Sequence, residues 1–470
     1  MIQERWNDTN GQSRNGGESA RMAIDASIFK AYDIRGIYGK NLTEEIAEKI
    51  GNAVAQFLRA KTMVVGYDMR PSSKPLAASL IRGITAFGCN VLDIGLSSTD
   101  MLYFAVWHLH ADGGIMVTAS HNPKEYNGFK LVREKAIPIG EGMGMEEIRD
   151  AVRASSWREG KKEGRVEEKE ILQDFVQFVH SFVDAKKIKR LNVVLDAGNG
   201  MAGTVAPEVF RTIPLEAVNL FFELDGNFPN HVPNPMEEKN NEQIIKKIKE
   251  VKPDLGIAWD GDCDRVFFFD EHGNRISGDF MTGIIATWLL KKNPGRVVLY
   301  DIRHSWYSRD TIRKAGGKPS LMRAGHSYFR HEMRKQNAIF GGELSGHYFF
   351  QKSDFAADNG FIPALMVLEM LSETDKKLSA LLEETKGYYI SGEINSAVED
   401  KIAAMKKVEE AFPEGKHSHL DGLSIEFEDW HFNVRPSNTE PVLRLTVEAL
   451  HDRKKMEAMR DKILKIIREG

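Results

Sequence analysis

Cysteine is scarce in this chain of 470 residues: there are two, Cys89 and Cys263. That count excludes a disulfide-stapled secreted scaffold, and a reducing cytoplasm is the expected compartment. Long apolar stretches are also missing. Uncharged runs such as Phe280–Leu290 reach about 11 residues, where a membrane-spanning helix needs about 20. No charge of one sign dominates either, since 64 Lys and Arg face 68 Asp and Glu for a net charge of −4. A protein of nucleic acids or membrane surfaces carries a basic excess, so neither partner is expected. The first twenty residues lack the apolar core of a secretory signal. Met1–Arg21 is expected to be a floppy, disordered tail, with Met22 a candidate start. What is abundant is core-forming material. Hydrophobic residues make up 42% of the chain, which excludes intrinsic disorder and, at this length, predicts about two to four domains.

Three short segments resemble one another: Val64-Val-Gly-Tyr-Asp-Met-Arg70, Val193-Val-Leu-Asp-Ala-Gly-Asn199 and Val297-Val-Leu-Tyr-Asp-Ile-Arg303. Each is an apolar, β-branched run that ends in Asp and then turns, as a buried parallel strand does. Recurrence at roughly a hundred residues means repeated domains rather than a solenoid. Helical apolar spacing appears before the first of them, at Thr43–Arg59, and between successive segments, at Ile171–Val183 and Asn241–Val251. Charged Arg158–Glu170 reads as an exposed strand or linker. Near the C-terminus the pattern changes. Gly392–Val398, Leu423–Phe427 and Leu443–Val447 read as strands of a half-exposed antiparallel sheet, with helices at Asp400–Phe412 and Lys454–Ile467. The expected fold class is therefore α/β: three related α/β domains with mixed sheets, plus a C-terminal α+β domain.

Four motifs carry candidate chemistry. Thr118-Ala-Ser-His-Asn-Pro123 follows the apolar strand Gly114–Val117 and sets Ser120 in a tight loop beside His121. Asp260-Gly-Asp-Cys-Asp-Arg265 offers three carboxylates; in an extended segment, alternation throws Asp260, Asp262 and Asp264 to one side and Cys263 to the other. Such a set repels itself unless a cation sits within it, and hard oxygen ligands select Mg²⁺, Ca²⁺ or Mn²⁺. An EF-hand loop would place Glu271 at its last position but needs glycine where Arg265 stands, so Mg²⁺ is favoured. In Gly341-Gly-Glu-Leu-Ser-Gly-His347, Glu343, Ser345 and His347 alternate onto one face, a grip suited to vicinal sugar hydroxyls. Arg435-Pro-Ser-Asn-Thr-Glu-Pro441 is a proline-stiffened cluster of donors that suits a phosphate dianion. Lys30-Ala-Tyr-Asp-Ile-Arg-Gly36, Lys130 and Arg323-Ala-Gly-His-Ser327 also point at anions. Any one motif could be a polar turn without chemistry. The set reads as phosphoryl transfer.

With these motifs, from about Ala23 to the C-terminus, the chain resembles the α-D-phosphohexomutases, in their bacterial phosphomannomutase/phosphoglucomutase branch. The motifs occur in family order, one per domain, and Asp225-Gly-Asn-Phe-Pro-Asn230 is a further signature. The resemblance implies four domains around a central active-site cleft: 22–165 with a phosphoserine loop, 166–274 with a metal loop, 275–384 with a sugar-binding loop, and 385–470 with a phosphate-binding loop. Ser120 is implied to be the phosphoserine, binding Mg²⁺ together with Asp260, Asp262 and Asp264. Arg35, His121, Lys130, Arg265 and His347 are implied in proton transfer and charge neutralisation, with Lys130 and His347 both open as the base. Tyr32, Arg303, Gly325, His326, Glu343, Ser345, Arg435, Ser437, Asn438 and Thr439 are implied to bind substrate. Two positions depart from the family: Cys263 stands where Gly or Ala is usual, and Arg303 where relatives often carry Lys. The implied reaction interconverts hexose 1-phosphate and hexose 6-phosphate through a hexose 1,6-bisphosphate, in a cytoplasmic monomer or weak dimer whose partner is a small phosphosugar. A metal-dependent serine phosphatase and a catalytically silent phosphosugar-binding regulator are the alternatives. The preference among mannose, glucose and glucosamine is not legible.

Overall fold

A computed structural model describes residues 24–437 and 442–469. The expected tail and Met22 therefore lie outside the described residues, as do Asn438 and Thr439. No described helix is long and apolar enough to cross a membrane.

The three similar segments lie in strands Thr62–Tyr67, Leu191–Asp196 and Val297–Asp301. Each is flanked on both sides by parallel partners, which is why its residues read as one apolar run. Around each the same four-strand unit forms. In the first unit the order across the sheet is Asn90–Leu96, Thr62–Tyr67, Gly113–Val117 and Tyr126–Arg133, with the last strand antiparallel. Leu215–Leu220, Leu191–Asp196, Leu255–Trp259 and Val266–Phe269 repeat it in the second unit. Lys318–Met322, Val297–Asp301, Phe340–Gly342 and Tyr348–Lys352 repeat it in the third. Additional strands extend two of these sheets. Val166–Glu168, exposed along its length, pairs with the first, and Phe355–Asp358 pairs with the third. The fourth sheet is antiparallel throughout, built on Trp430–Pro436 and Val442–Leu450, with helices Lys401–Glu410 and Arg453–Glu469 beside it.

Apolar packing divides the chain unevenly. One continuous core runs through the first three units, where Trp107 meets Phe355 at 5.4 Å between ring centroids and Trp259 stacks on Phe361 at 5.5 Å. The fourth unit buries Phe412, Trp430, Phe432 and Ile463 in a separate core. Three units are thus fused by shared apolar surface, and the fourth is joined to them mainly by polar contacts.

In each repeat the third strand ends in a loop that returns as the antiparallel fourth strand, and these loops hold three of the four motifs. Arg70, just beyond strand Thr62–Tyr67, braces the serine loop. Its buried guanidinium donates to the carbonyls of Ser120 (2.8 Å), Asn122 (2.7 Å), Pro123 (2.8 Å) and Tyr126 (3.1 Å), and pairs with Asp68 at 3.2 Å. Replacing Arg70 by Met would strand Asp68 without its cation and leave four carbonyls without donors. The expected cost is about 3–5 kcal/mol. Thermal unfolding of Arg70→Met checks this, and an unchanged melting temperature would contradict it.

Candidate active site

Ser120 occupies a left-handed backbone position (φ 49°), and its N–H donates to Thr118 Oγ1 at 2.8 Å. Its Oγ donates to Asp260 Oδ2 at 2.8 Å, lies 3.1 Å from His121 Nδ1, and accepts from Arg265 at 3.2 Å. Arg35 reaches the same loop from another side, donating to the Ala119 carbonyl (2.7 Å) and to Asn122 Oδ1 (2.6 Å). Burial, then the guanidinium groups of Arg265 and Arg35, push His121 well below the ordinary histidine range. It is therefore a neutral ring whose Nδ1 accepts from Arg265.

Carboxylate oxygens of Asp260, Asp262 and Asp264 lie within 4.8 Å of one another, all buried. Their backbone is not the extended segment expected. Asp260–Asp264 forms a turn, and Cys263 sits in it at φ 65°. Convergence here comes from a tight reversal rather than from strand alternation. It demands a left-handed residue at 263, a conformation that glycine adopts without cost and cysteine does not. The Cys263 side chain packs in the shared apolar core. Val266–Phe269 is a strand, and Glu271 turns to Ser379, so the loop is not an EF-hand.

Cations surround the acids. Lys130 donates to Asp262 Oδ2 at 2.7 Å and bonds Asp264 as well. Arg265 Nε lies 3.1 Å from Asp260, and His347 Nε2 lies 3.5 Å from Asp264. Thr99 adds a hydroxyl at 2.6 Å from Asp262. Asp262 Oδ1 is buried without a hydrogen-bond partner among the described residues. Burial, then the neighbouring Asp262 and Asp264, raises Asp260 to about 7. Burial also works against Asp264, but Lys130 and His347 overcome it and hold that carboxyl well below its usual range.

The loops 260–265 and 343–347 zip together, with Arg265 bridging His347 and Val266 N–H donating to the Gly346 carbonyl at 3.1 Å. Within the second of these loops, His347 Nδ1 lies 3.0 Å from both Glu343 Oε2 and Ser345 Oγ. Glu343 Oε1 accepts from Gly325 N–H at 2.6 Å and lies 3.8 Å from Arg303, which is paired with Asp301. Tyr32 packs against His326 at 5.5 Å. Arg435 pairs with Glu393 at 2.6 Å, as does Arg444 at 3.3 Å, and Arg444 also donates to Ser437. Tyr32, Arg303, Gly325, His326, Glu343, Ser345, His347, Arg435 and Ser437 line one cleft of about 240 Å³. Arg323, from the segment that pointed at anions, lines it too, as do Asp421 and Arg444, which were not singled out in the sequence. The repeated Asp-x-Arg at 68–70 and 301–303 was a signal that could have marked Arg70 as a brace.

Domain models of the phosphoglucomutase/phosphomannomutase family match the chain in order: α/β/α domain I at 26–159, domain II at 172–273, domain III at 277–388 and the C-terminal domain at 393–466. A Xanthomonas campestris protein named for phosphohexose mutases is 41% identical over 443 residues, covering 94% of this chain and 99% of its own. An Escherichia coli phosphomannomutase is 41% identical over 454 residues, with the same coverage. The crystal structure of a phosphoglucomutase/phosphomannomutase family protein from Burkholderia thailandensis superposes with a TM-score of 0.87 at 32% identity, covering 94% of this chain and 97% of that one. The fold, site and relatives define a phosphohexomutase, an enzyme of the mutase class. The chain belongs to the phosphoglucomutase/phosphomannomutase family.

The elevated Asp260 makes a prediction with a definite sign. Its folded-state value of about 7 lies above the ordinary 3.8, so the stability it contributes is complete below pH 3.8 and is lost as the pH rises through 7. Asp260→Asn does not titrate. In chelator, its melting temperature relative to the wild type should therefore rise between pH 4 and pH 7, and a constant difference would contradict the assignment.

Proposed function

We propose that this phosphohexomutase interconverts hexose 1-phosphate and hexose 6-phosphate, with mannose or glucose as the hexose, through a phosphorylated Ser120 and a hexose 1,6-bisphosphate. The observation that carries the reading is the meeting of Ser120 Oγ with Asp260, at 2.8 Å, inside a buried triad of aspartates, with His347 reaching from that triad (3.5 Å from Asp264) to the cleft it lines. Printed names of relatives, phosphohexose mutases and phosphomannomutase, support the sugar class.

The donor set fits Mg²⁺. It is all carboxylate oxygen, and one of those oxygens, Asp262 Oδ1, is buried and unsatisfied. Asp260, Asp262 and Asp264, with the phosphate of Ser120, would hold the ion, which when bound supplies charge neutralisation to the transferring phosphoryl group.

The chain's own residues do the rest. Arg265, within reach of Ser120 Oγ, balances charge at the serine as its bond to phosphorus breaks. A hydroxyl of the bound hexose monophosphate forms the new bond to phosphorus and gives up its proton. Burial works against charge on both candidate bases, but their carboxylate neighbours win. Asp262 and Asp264 carry Lys130 well above its ordinary value, whereas Asp264 and Glu343 carry His347 to about 9. Both groups therefore stand as cations beside the acids, and both remain candidates to receive the hydroxyl proton once they have given up their own. Glu343 and Ser345 grip sugar hydroxyls. Arg435, Ser437, Asn438 and Thr439 hold the phosphate that does not react, and Tyr32, Arg303, Gly325 and His326 complete the wall. After the first transfer the bisphosphate reorients, and its other phosphoryl group returns to Ser120. Two free, buried cysteines support a cytoplasmic enzyme, working as a monomer or weak dimer.

Ser120→Ala is the deciding variant. It should lose conversion of mannose 1-phosphate to mannose 6-phosphate by more than about a thousandfold, with an unchanged melting temperature. The wild type should release no inorganic phosphate in step with turnover. Retained mutase activity in the variant, or stoichiometric phosphate release by the wild type, would contradict the reading.

A further inference from the structure

The fourth unit has its own core, so its attachment to the rest can be read from the polar contacts that cross the boundary. Among the described residues, its hydrogen bonds to the third unit fall in two groups. The first is buried and multiple. Glu448, fully enclosed, accepts from Trp306 N–H at 2.7 Å and from Ser305 Oγ, capping the helix Trp306–Lys314 from outside its own unit. His431 lies 2.8 Å from the same carboxylate and stacks on Trp306 at 4.4 Å, and Tyr388 donates to Asp310 at 3.2 Å nearby. None of these residues lines the cleft.

The second group is one bond at the cleft wall. Asp421 Oδ2 accepts from Ala324 N–H at 3.1 Å. The next peptide along is held by the first and third units: the Ala324 carbonyl accepts from Tyr32 Oη of the first unit at 3.4 Å, and the Gly325 N–H donates to Glu343 of the third. Gly325 is required there, because a Cβ would lie 2.8 Å from Tyr32 Oη. On the other side, Asp421 is tied to the strand that carries Arg435. Its carbonyl accepts from Asn433 at 2.9 Å, and at Gly422 (φ +69°) a Cβ would fall 2.3 Å from the Val434 carbonyl. Asp421 therefore moves with the Arg435 strand. Apolar packing does not seal this edge, since Leu321 and Leu420 remain 37% and 44% exposed across a groove of about 280 Å³.

We propose that Asp421 is a positioning residue: a latch that ties the phosphate-binding unit across the cleft, with the Glu448 cluster as its pivot, so that the doubly phosphorylated intermediate turns over inside the enzyme and does not escape. One hydrogen bond at a wetted rim is weak enough to break and remake within a turnover, whereas the buried pivot holds throughout. The inference rests on the phosphoserine reading above.

The test follows a radiolabelled phosphoryl group on the phosphorylated, magnesium-loaded full chain, chased with mannose 1-phosphate. In the wild type most label should return to the enzyme or pass to mannose 6-phosphate. In Asp421→Ala the share of transferred label released as free hexose bisphosphate should rise about five- to tenfold, and Asp421→Asn, which keeps an acceptor oxygen, should restore retention. As a second measurement, the added hexose 1,6-bisphosphate giving half-maximal steady-state activity should rise in the alanine variant alone. Transfer of label with an unchanged released share in Asp421→Ala overturns the latch and leaves the phosphoserine reading standing. No transfer of label by the wild type overturns both.

Discussion

Three carboxylates buried within a few ångströms of one another are untenable without positive charge among them, and much of this molecule is arranged to supply it. Lys130 comes from the first unit, Arg265 from the turn that carries the acids, and His347 from the third unit. Burial opposes charge on Lys130, His347, Asp260 and Asp264; it prevails at Asp260, which is raised, and is overcome at the other three. The cluster persists because each cation faces at least one carboxylate and each aspartate at least one donor. That requirement draws three separate units to one point, and the shared apolar core behind them keeps them there.

The repeat explains how a single supersecondary unit came to build a composite site. Each copy presents the loop after its third strand, and the copies diverge in what that loop holds: a hydroxyl, a set of acids, or a carboxylate–hydroxyl–imidazole group. The Asp-x-Arg after the first strand diverges too. In the first unit Arg70 turns into the carbonyls of the serine loop, while in the third Arg303 lies on the cleft wall beside Glu343. One inherited cation braces, and the other is available to a ligand. The fourth unit, with a core of its own, is the part that can move as a body.

The strands Thr62–Tyr67, Leu191–Asp196 and Val297–Asp301 were legible because buried parallel strands leave uninterrupted apolar runs, and the matching loops were legible because polar residues at strand ends have few other uses. The strict antiparallel character of the last sheet showed in its alternation. What escaped was long-range and three-dimensional. The aspartate loop reads as a strand but folds as a turn, since nothing local reveals that residue 263 must take a left-handed conformation. Arg70, Thr99 and Asp421 have partners 50, 163 and 97 residues away, and no periodicity encodes such a contact. Arg444 looks like an ordinary surface cation until the cleft is assembled.

The central claim is that the oxygen of Ser120, held against the aspartates, carries the phosphoryl group between the two ends of one sugar. Peptide mass spectrometry of the protein after incubation with hexose 1,6-bisphosphate and Mg²⁺ tests it most directly. The account predicts one added phosphoryl group, located on Ser120, which disappears when a hexose monophosphate is supplied and reappears on the sugar. Label on another residue, or its loss to water as inorganic phosphate, would contradict it.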